Sequence, residues 1–473
     1  MQEQERFLLQ DQGERSMLTT WKLSYDQVLR QSEAAAWLLR LWAFFHHDDF
    51  WYGLLAKSGD IILDLEEGEE FKLPNWLTKL AENELDFSSA MGLLKAYSMA
   101  DSRGEGSYTM HSVLHQWSRS LSLAADSTSL ISISVCVLAS ASPRETDDKS
   151  WELDRRLQQH VLHASNVLNS AQTLVQHDLP SGATHELGDL LKRQGKTNQA
   201  EQMYQRALTG YEKVYRPNYQ STSRIMNNLG LVYLNQGKLD GAEQMFERAL
   251  ASEETALGPN HSLTLETVNN LGDLCIERGQ LEKAEKMLQR ALAGREKILG
   301  PNHTSTLQTL NGLGVLYAQQ GKPDEAEQMF QRTLAGREEA LGSNHPSTLK
   351  TIVNLGKLYR EEGRLEESGN QLLRALAGHE KLFGRETSTP PLLTTVYNLG
   401  LIYYEQEKLD EAEQMFERAL IGYQQAHGCS HQRTTKASKW LAFARSKIGK
   451  FFYPASARIL VPQLTIPPSC SRC

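Results

Sequence analysis

Ala242-Glu243-Gln244-Met245-Phe246-Glu247-Arg248-Ala249-Leu250 recurs without change from Ala412 to Leu420. Two identical stretches so far apart in one chain mark an internal repeat, and the period appears on working outward. A glycine preceded by leucine stands at Gly188, Gly230, Gly272, Gly314, Gly356 and Gly400, at spacings of 42, 42, 42, 42 and 44 residues. Twelve residues after each glycine comes a small residue: Ala200, Ala242, Ala284, Ala326, Ser368 and Ala412. Seven further on come Ala207, Ala249, Ala291, Thr333, Ala375 and Ala419, each followed by leucine. A constant period of this length points to stacked repeats.

Each unit reads as two helices. In the third, Leu265, Val268, Leu271 and Leu274 to Ile276 form one apolar stripe. Leu281, Ala284, Met287, Leu288, Ala291 and Leu292 form the second, at steps of three and four residues. A turn glycine separates them at Gly195, Gly237, Gly279, Gly321 and Gly363, while the sixth repeat carries Glu407. An altered turn, or strain of about 1–2 kcal/mol, is expected there. Glycine in one helix facing alanines in the next lets two axes approach to about 8–10 Å. Tyr204, Phe246, Leu288, Phe330, Leu372 and Phe416 then fill the remaining space. Two helices cannot bury their apolar faces alone, so the repeats must stack into a superhelix with a groove.

Asn-Leu-Gly, Tyr three residues on, then Ala…Phe…Ala-Leu resembles the tetratricopeptide repeat. The 42-residue length and the Leu257–His261 and Leu299–His303 linkers resemble its kinesin-light-chain subtype. The resemblance implies an all-α chain with a right-handed α-solenoid of six repeats over 181–430. A capping helix at 431–450 and an irregular tail at 451–473 follow. It implies partners that are other proteins or peptides, self-association included, bound in the concave groove. By analogy with the family, the inner face of each first helix carries residues six and three before the repeat glycine and one after it. These are Arg224, Asn227 and Leu231; Glu266, Asn269 and Asp273; Gln308, Asn311 and Val315; and Lys350, Val353 and Lys357. Their mixed polarity suits reversible recognition of an extended peptide. The neighbouring Asn228, Asn270, Asn354 and Asn398 are expected to satisfy backbone groups of adjacent helices.

Residues 18–120 lack the period and are rich in tryptophan. A helix is expected through Ala36, Leu38, Leu39 and Leu41, with short helices at Trp76–Leu80 and Ala90–Leu94. Asp101 to Gly106 reads as the loop of a hairpin between 97–99 and 107–109. Helix 111–121 follows, with Val113, Leu114 and Trp117 on one face. Thr19–Tyr25, Ala36–Leu39 and Met110–Trp117, with Arg155, Arg156 and His160, resemble the winged-helix end of the nucleotide-binding module of NLR-like signalling ATPases. Fungal members join that module to 42-residue repeats. The resemblance implies a sensing or oligomerising arm whose nucleotide-binding half is missing, with a flexible stretch at 1–17 and a helical linker at 121–180. His111 matches the histidine that faces nucleotide phosphates in that family, but Ser112 departs from its usual Asp. A buried residue at the start of a helix is the expected role of His111.

The chain of 473 residues is 40% hydrophobic and 23% charged, with net charge −8 and pI about 6.0. No basic field is available for nucleic acid or an anionic membrane. No apolar run is long enough to span a bilayer, and Met1 to Gln12 lacks a signal-peptide core. Five scattered cysteines make no disulfide framework, so a cytoplasmic setting is expected. Gly195-Lys196-Thr197 ends like a phosphate loop, but Leu190 stands where that loop needs glycine. Neither a nucleotide nor any other cofactor is expected, and no catalytic grouping stands out. His261, His303, His345 and His431 recur with the linkers, too far apart to share a metal, and read as loop structure. Cys470 and Cys473 lie in a proline-containing tail unsuited to redox use or prenylation. A motor-cargo adaptor like kinesin light chain is the alternative function, although Trp151 to Leu179 falls short of the heptads of a coiled coil.

Overall fold

The computed structural model describes residues 2–58, 73–104, 106–122, 124–143, 150–170, 179–214, 220–385, 389–429 and 431–452. Among them are 21 helices and three short strands, in two compact units, Met1–Thr267 and Val268–Cys473.

The first unit begins with α1 (Gln2–Gln31) and α2 (Glu33–Trp42). Ser32 divides them, its hydroxyl accepting the Ala35 N–H at 3.2 Å as an N-cap. Then come β1 (Phe50–Trp51), α3 (Tyr52–Ala56), α4 (Asn75–Glu82), α5 (Glu84–Ala96), β2 (Asp101–Gly104), β3 (Ser107–Thr109), α6 (Ser112–Ser120), α7 (Ala124–Ala141) and α8 (Ser150–Ser170). The aliphatic core holds an aromatic cluster: Trp42 stacks on Phe50 at 4.7 Å, and Phe50 lies 6.2 Å from Phe87.

A hairpin forms, but not where the sequence places its first strand. Residues 97–99 close α5, with Ser98 at φ 57° and the Met99 N–H donating to Leu94 O at 2.8 Å. This helix-ending turn consumes the segment, so the strand falls at Asp101–Gly104, inside the expected loop. β1 adds a third strand, in the antiparallel order β1-β3-β2. Helix α6 also turns a different face inward: Leu114, His115 and Ser118 are buried, whereas Val113 is 44% exposed.

The repeat helices follow in pairs: α9 (Ser181–Arg193) with α10 (Thr197–Val214), and α11 (Gln220–Asn235) with α12 (Leu239–Ala256). Helix α13 (Ser262–Glu277) crosses from the first unit into the second, where α14 (Leu281–Leu299) is its pair. Next come α15 (Thr304–Gln319) with α16 (Pro323–Leu341), α17 (Pro346–Glu361) with α18 (Leu365–Phe383), and α19 (Pro390–Glu405) with α20 (Leu409–His427). Helix α21 (Gln432–Phe452) packs on α20. The linker histidines start first helices: His261, His303, His345 and His431 accept a backbone N–H two residues on through Nδ1, at 3.2–3.3 Å.

The repeat glycine faces the aromatic or leucine of its partner helix, rather than an alanine. A Cβ at Gly230, Gly314 or Gly400 would stand 2.5, 2.6 or 2.8 Å from the ring of Phe246, Phe330 or Phe416. The ring lies flat against bare backbone, and only glycine leaves room for it. The turn between helices is left-handed in all six repeats, with φ 71–76° at the five glycines and 61° at Glu407. Glu407 therefore keeps the ordinary turn and carries the strain instead.

Candidate functional site

The positions read as a groove differ in depth along each first helix. Six before the repeat glycine, Arg224, Gln308 and Lys350 are exposed and Glu266 is half-buried. Three before it, Asn227, Asn269, Asn311 and Val353 are buried, none more than 7% exposed. One after it, Leu231, Asp273, Val315 and Lys357 are half-buried. A helical turn explains the order, since these positions straddle the line where the first helix leaves its neighbours and meets solvent.

The buried asparagines bond within the protein. Asn227 Nδ2 donates to Glu266 Oε1 at 3.4 Å, and its Oδ1 accepts from Thr267. Asn269 Nδ2 donates to Asp273 Oδ2 at 3.3 Å. Asn311 Oδ1 accepts from Asn354 Nδ2 at 3.3 Å. Asn228 and Asn354, expected to serve backbone groups, bond side chains instead. Asn228 Nδ2 reaches His185 Nε2 and Asp189 Oδ1 at 3.0 and 3.1 Å, and Lys192 Nζ donates to its Oδ1 at 2.9 Å. The helix backbone is already satisfied along α11 and α17, which leaves side chains as the available partners.

Charge varies along this face. In the first unit Arg224 pairs with Glu186 at 3.5 Å. In the second, burial first, then Arg433, with smaller contributions from Lys350 and Arg360, lowers the Lys357 ammonium below its ordinary range, against the pull of Glu361. Arg360 is paired with Glu405 at 3.2 Å. Burial pushes the Asp273 carboxyl up to about 6 against the opposing pull of Lys350 and Arg295.

The other sequence candidates resolve into structure. Gly195 is the left-handed turn residue, and the Gly195 and Lys196 N–H groups donate to Lys192 O and Leu191 O at 3.0 and 2.9 Å, so they are not open to a phosphate. His111 is the N-cap of α6, its Nδ1 accepting the Val113 N–H at 3.3 Å, and it is exposed rather than buried. Cys470 and Cys473 lie outside the described residues.

A tetratricopeptide-repeat family model matches residues 181–255, 236–297, 263–339 and 306–381, and a second matches 392–433, together about half of the chain. The chain belongs to the tetratricopeptide-repeat family. Solved structures like it include BtubC from P. vanneervenii, 23% identical over 50% of this chain and 94% of that one, with a TM-score of 0.37. A putative kinesin light chain with nearly identical repeats from Podosopora anserina is 24% identical over 44% and 99%, with a TM-score of 0.35. A Signal Transduction ATPase with Numerous Domains that has a tetratricopeptide-repeat sensor, from Pyrococcus horikoshii, is 14% identical over 84% and 60%, with a TM-score of 0.41. No curated protein matches.

One polar position of the repeat escaped the sequence reading. Glu253, Arg295, Arg337 and His379 recur at 42-residue steps on second helices, and all are buried. Arg337 Nη1 donates to Ser347 O and Thr351 Oγ1 at 2.7 Å each, tying α16 to α17; Arg295 does the same to Ser305 O and Thr309 Oγ1 at 2.7 and 2.9 Å. Burial lowers the Arg337 guanidinium to about 10. A charged residue recurring on an otherwise apolar face was the available signal. No helix among the described residues is long and apolar enough to cross a membrane.

Proposed function

We propose that this tetratricopeptide-repeat protein is a non-catalytic, cytoplasmic scaffold that binds proteins or peptides along the first-helix face of its repeats. The observation that carries this reading is the division of that face. Arg224, Gln308 and Lys350 stand in solvent, while Asn227, Asn311 and Val353 beneath them are buried, both asparagines hydrogen-bonded internally. Such a surface offers side-chain recognition over a rigid floor. In the second unit the cations Lys350, Lys357 and Arg433 complement an acidic segment. Proximity labelling in the native cell identifies the dominant partner. Lys350→Glu with Lys357→Glu should then reduce its capture severalfold; unchanged capture would refute the site.

The finer reading is the sensing or oligomerising arm of an NLR-like protein. It is supported by the resemblance of residues 18–120 to a winged-helix end, followed in the chain by α7, α8 and the repeats. The alternative, a kinesin-light-chain-like adaptor, is supported by the Leu-Gly-Pro-Asn-His linkers. Recovery of a kinesin heavy chain in a pull-down would favour the adaptor over the arm.

A further inference from the structure

Five histidines from distant parts of the first unit converge where α8 meets the loop after α2. His46 and His47 lie 4.3 Å apart between ring centres, His47 lies 6.0 Å from His115, His115 5.3 Å from His163, and His46 6.3 Å from His160. Four of them have structural work. His46 Nδ1 accepts the Asp48 N–H at 3.2 Å, so only its Nε2 could ligate. His160 Nδ1 accepts the His46 N–H at 3.2 Å, and its Nε2–H donates to Asp49 O at 3.0 Å. His115 Nε2–H donates to Phe45 O at 2.9 Å. His163 Nε2 accepts from Arg119 at 2.8 Å.

His47 differs. Its Nδ1 is shielded from solvent and has no hydrogen-bond partner among the described residues. It faces Asp48 Oδ2 at 3.6 Å, too far for a hydrogen bond. An ion about 2.1 Å from each of these atoms would subtend about 120° between them, near the tetrahedral angle. A donor atom from each of His46, His47 and Asp48 lies within 4.8 Å of the other two. The carboxylate is already oriented, because Thr109 donates its hydroxyl to Asp48 Oδ1 at 2.5 Å and leaves Oδ2 turned to His47. Support of this kind sets the geometry of a ligating carboxylate.

We propose that His46, His47 and Asp48 bind a divalent transition-metal ion of the zinc type. Two imidazoles and one carboxylate suit zinc, with a fourth position left for water. An ion there would fix the loop that seats α8, since Arg156 also grips Asp49 through two bonds of 2.7 and 2.8 Å. Arg103, 3.8 Å from Asp48 Oδ1, is the one cation of the β2 strand that opposes it, and it is 60% exposed and able to swing away.

Zinc sulfate titrated into the full chain by calorimetry should show one saturable site. His47→Asn and Asp48→Asn each remove a ligand and should weaken it by more than the roughly 10- to 100-fold that losing outer-shell support costs. His111→Ala, which removes an exposed histidine outside the cluster, should leave it unchanged, and Arg103→Gln should tighten it. Wild-type affinity in both His47→Asn and Asp48→Asn, or no saturable uptake by the wild type, would overturn the proposal. Should the variants fail to fold, cobalt in the wild-type chain decides. A visible band of four- or five-coordinate cobalt at one equivalent supports the site, and the spectrum of the hydrated ion refutes it.

Discussion

Replacing Glu407 by glycine should stabilise the sixth repeat, and replacing Gly363 by glutamate should destabilise the fifth by a similar amount. The two turns share one geometry. Glu407 N–H donates to Tyr404 O at 3.2 Å, and Lys408 N–H to Tyr403 O at 2.8 Å; Gly363 and Arg364 make the same pair of bonds at 3.0 and 2.8 Å. Both residues are left-handed, at φ 61° and 76°, so the Cβ is the main difference between them. A left-handed conformation costs an L residue about 1–2 kcal/mol. Glycine returns about 0.4–1 kcal/mol of that through the greater freedom of the unfolded chain. The net gain for Glu407→Gly is therefore about 0.5–1 kcal/mol, mirrored as a loss in Gly363→Glu. A repeat array can unfold in stages, so amide hydrogen exchange in α19 and α20, or in α17 and α18, reads the effect better than one melting curve. Faster exchange in α19 and α20 of Glu407→Gly, or no change in both variants, would refute the reasoning.

Gly314→Ala should lower stability by about 1–2 kcal/mol in denaturant titration, because overpacking against Phe330 at 2.6 Å outweighs about 1 kcal/mol of helix propensity; a gain would show that the ring gives way freely. Arg337→Ala strips Ser347 O and Thr351 Oγ1 of their partner and should cost about 2–3 kcal/mol, visible as faster exchange at the start of α17. Asp273 is held at about 6 against an ordinary 3.8, so the folded state binds its proton more tightly than the unfolded state. Its contribution to stability is complete below about pH 4 and is lost as pH rises through 6, by at most about 3 kcal/mol. Asp273→Asn should flatten that dependence, and an unchanged pH profile of unfolding would count against a buried carboxyl.

The helix pairs and their glycines were legible because each repeat packs on copies of itself. A local period then carries information about distant neighbours. The strain at Glu407 was legible for the same reason, since five glycines define what the sixth position must do. Outside the repeats that redundancy is missing. The helix-ending turn at Ser98 and the placement of β2 depend on a conformation that local composition does not announce, and β1 pairs Phe50 with Tyr108 across more than fifty residues.

What the sequence determined by itself was therefore a period, the two helices within it and the small residues that let them touch. Periodicity of burial follows from the helix alone. Tertiary structure decided which partner each polar group found. Asn228 meets His185 and Asp189 from the preceding first helix, Arg337 reaches over to α17, and His46 comes to lie beside His160 and His163 of α8. Hydrogen bonds and ligand geometry are satisfied within a few tenths of an ångström, and only the folded chain holds residues so far apart to that tolerance.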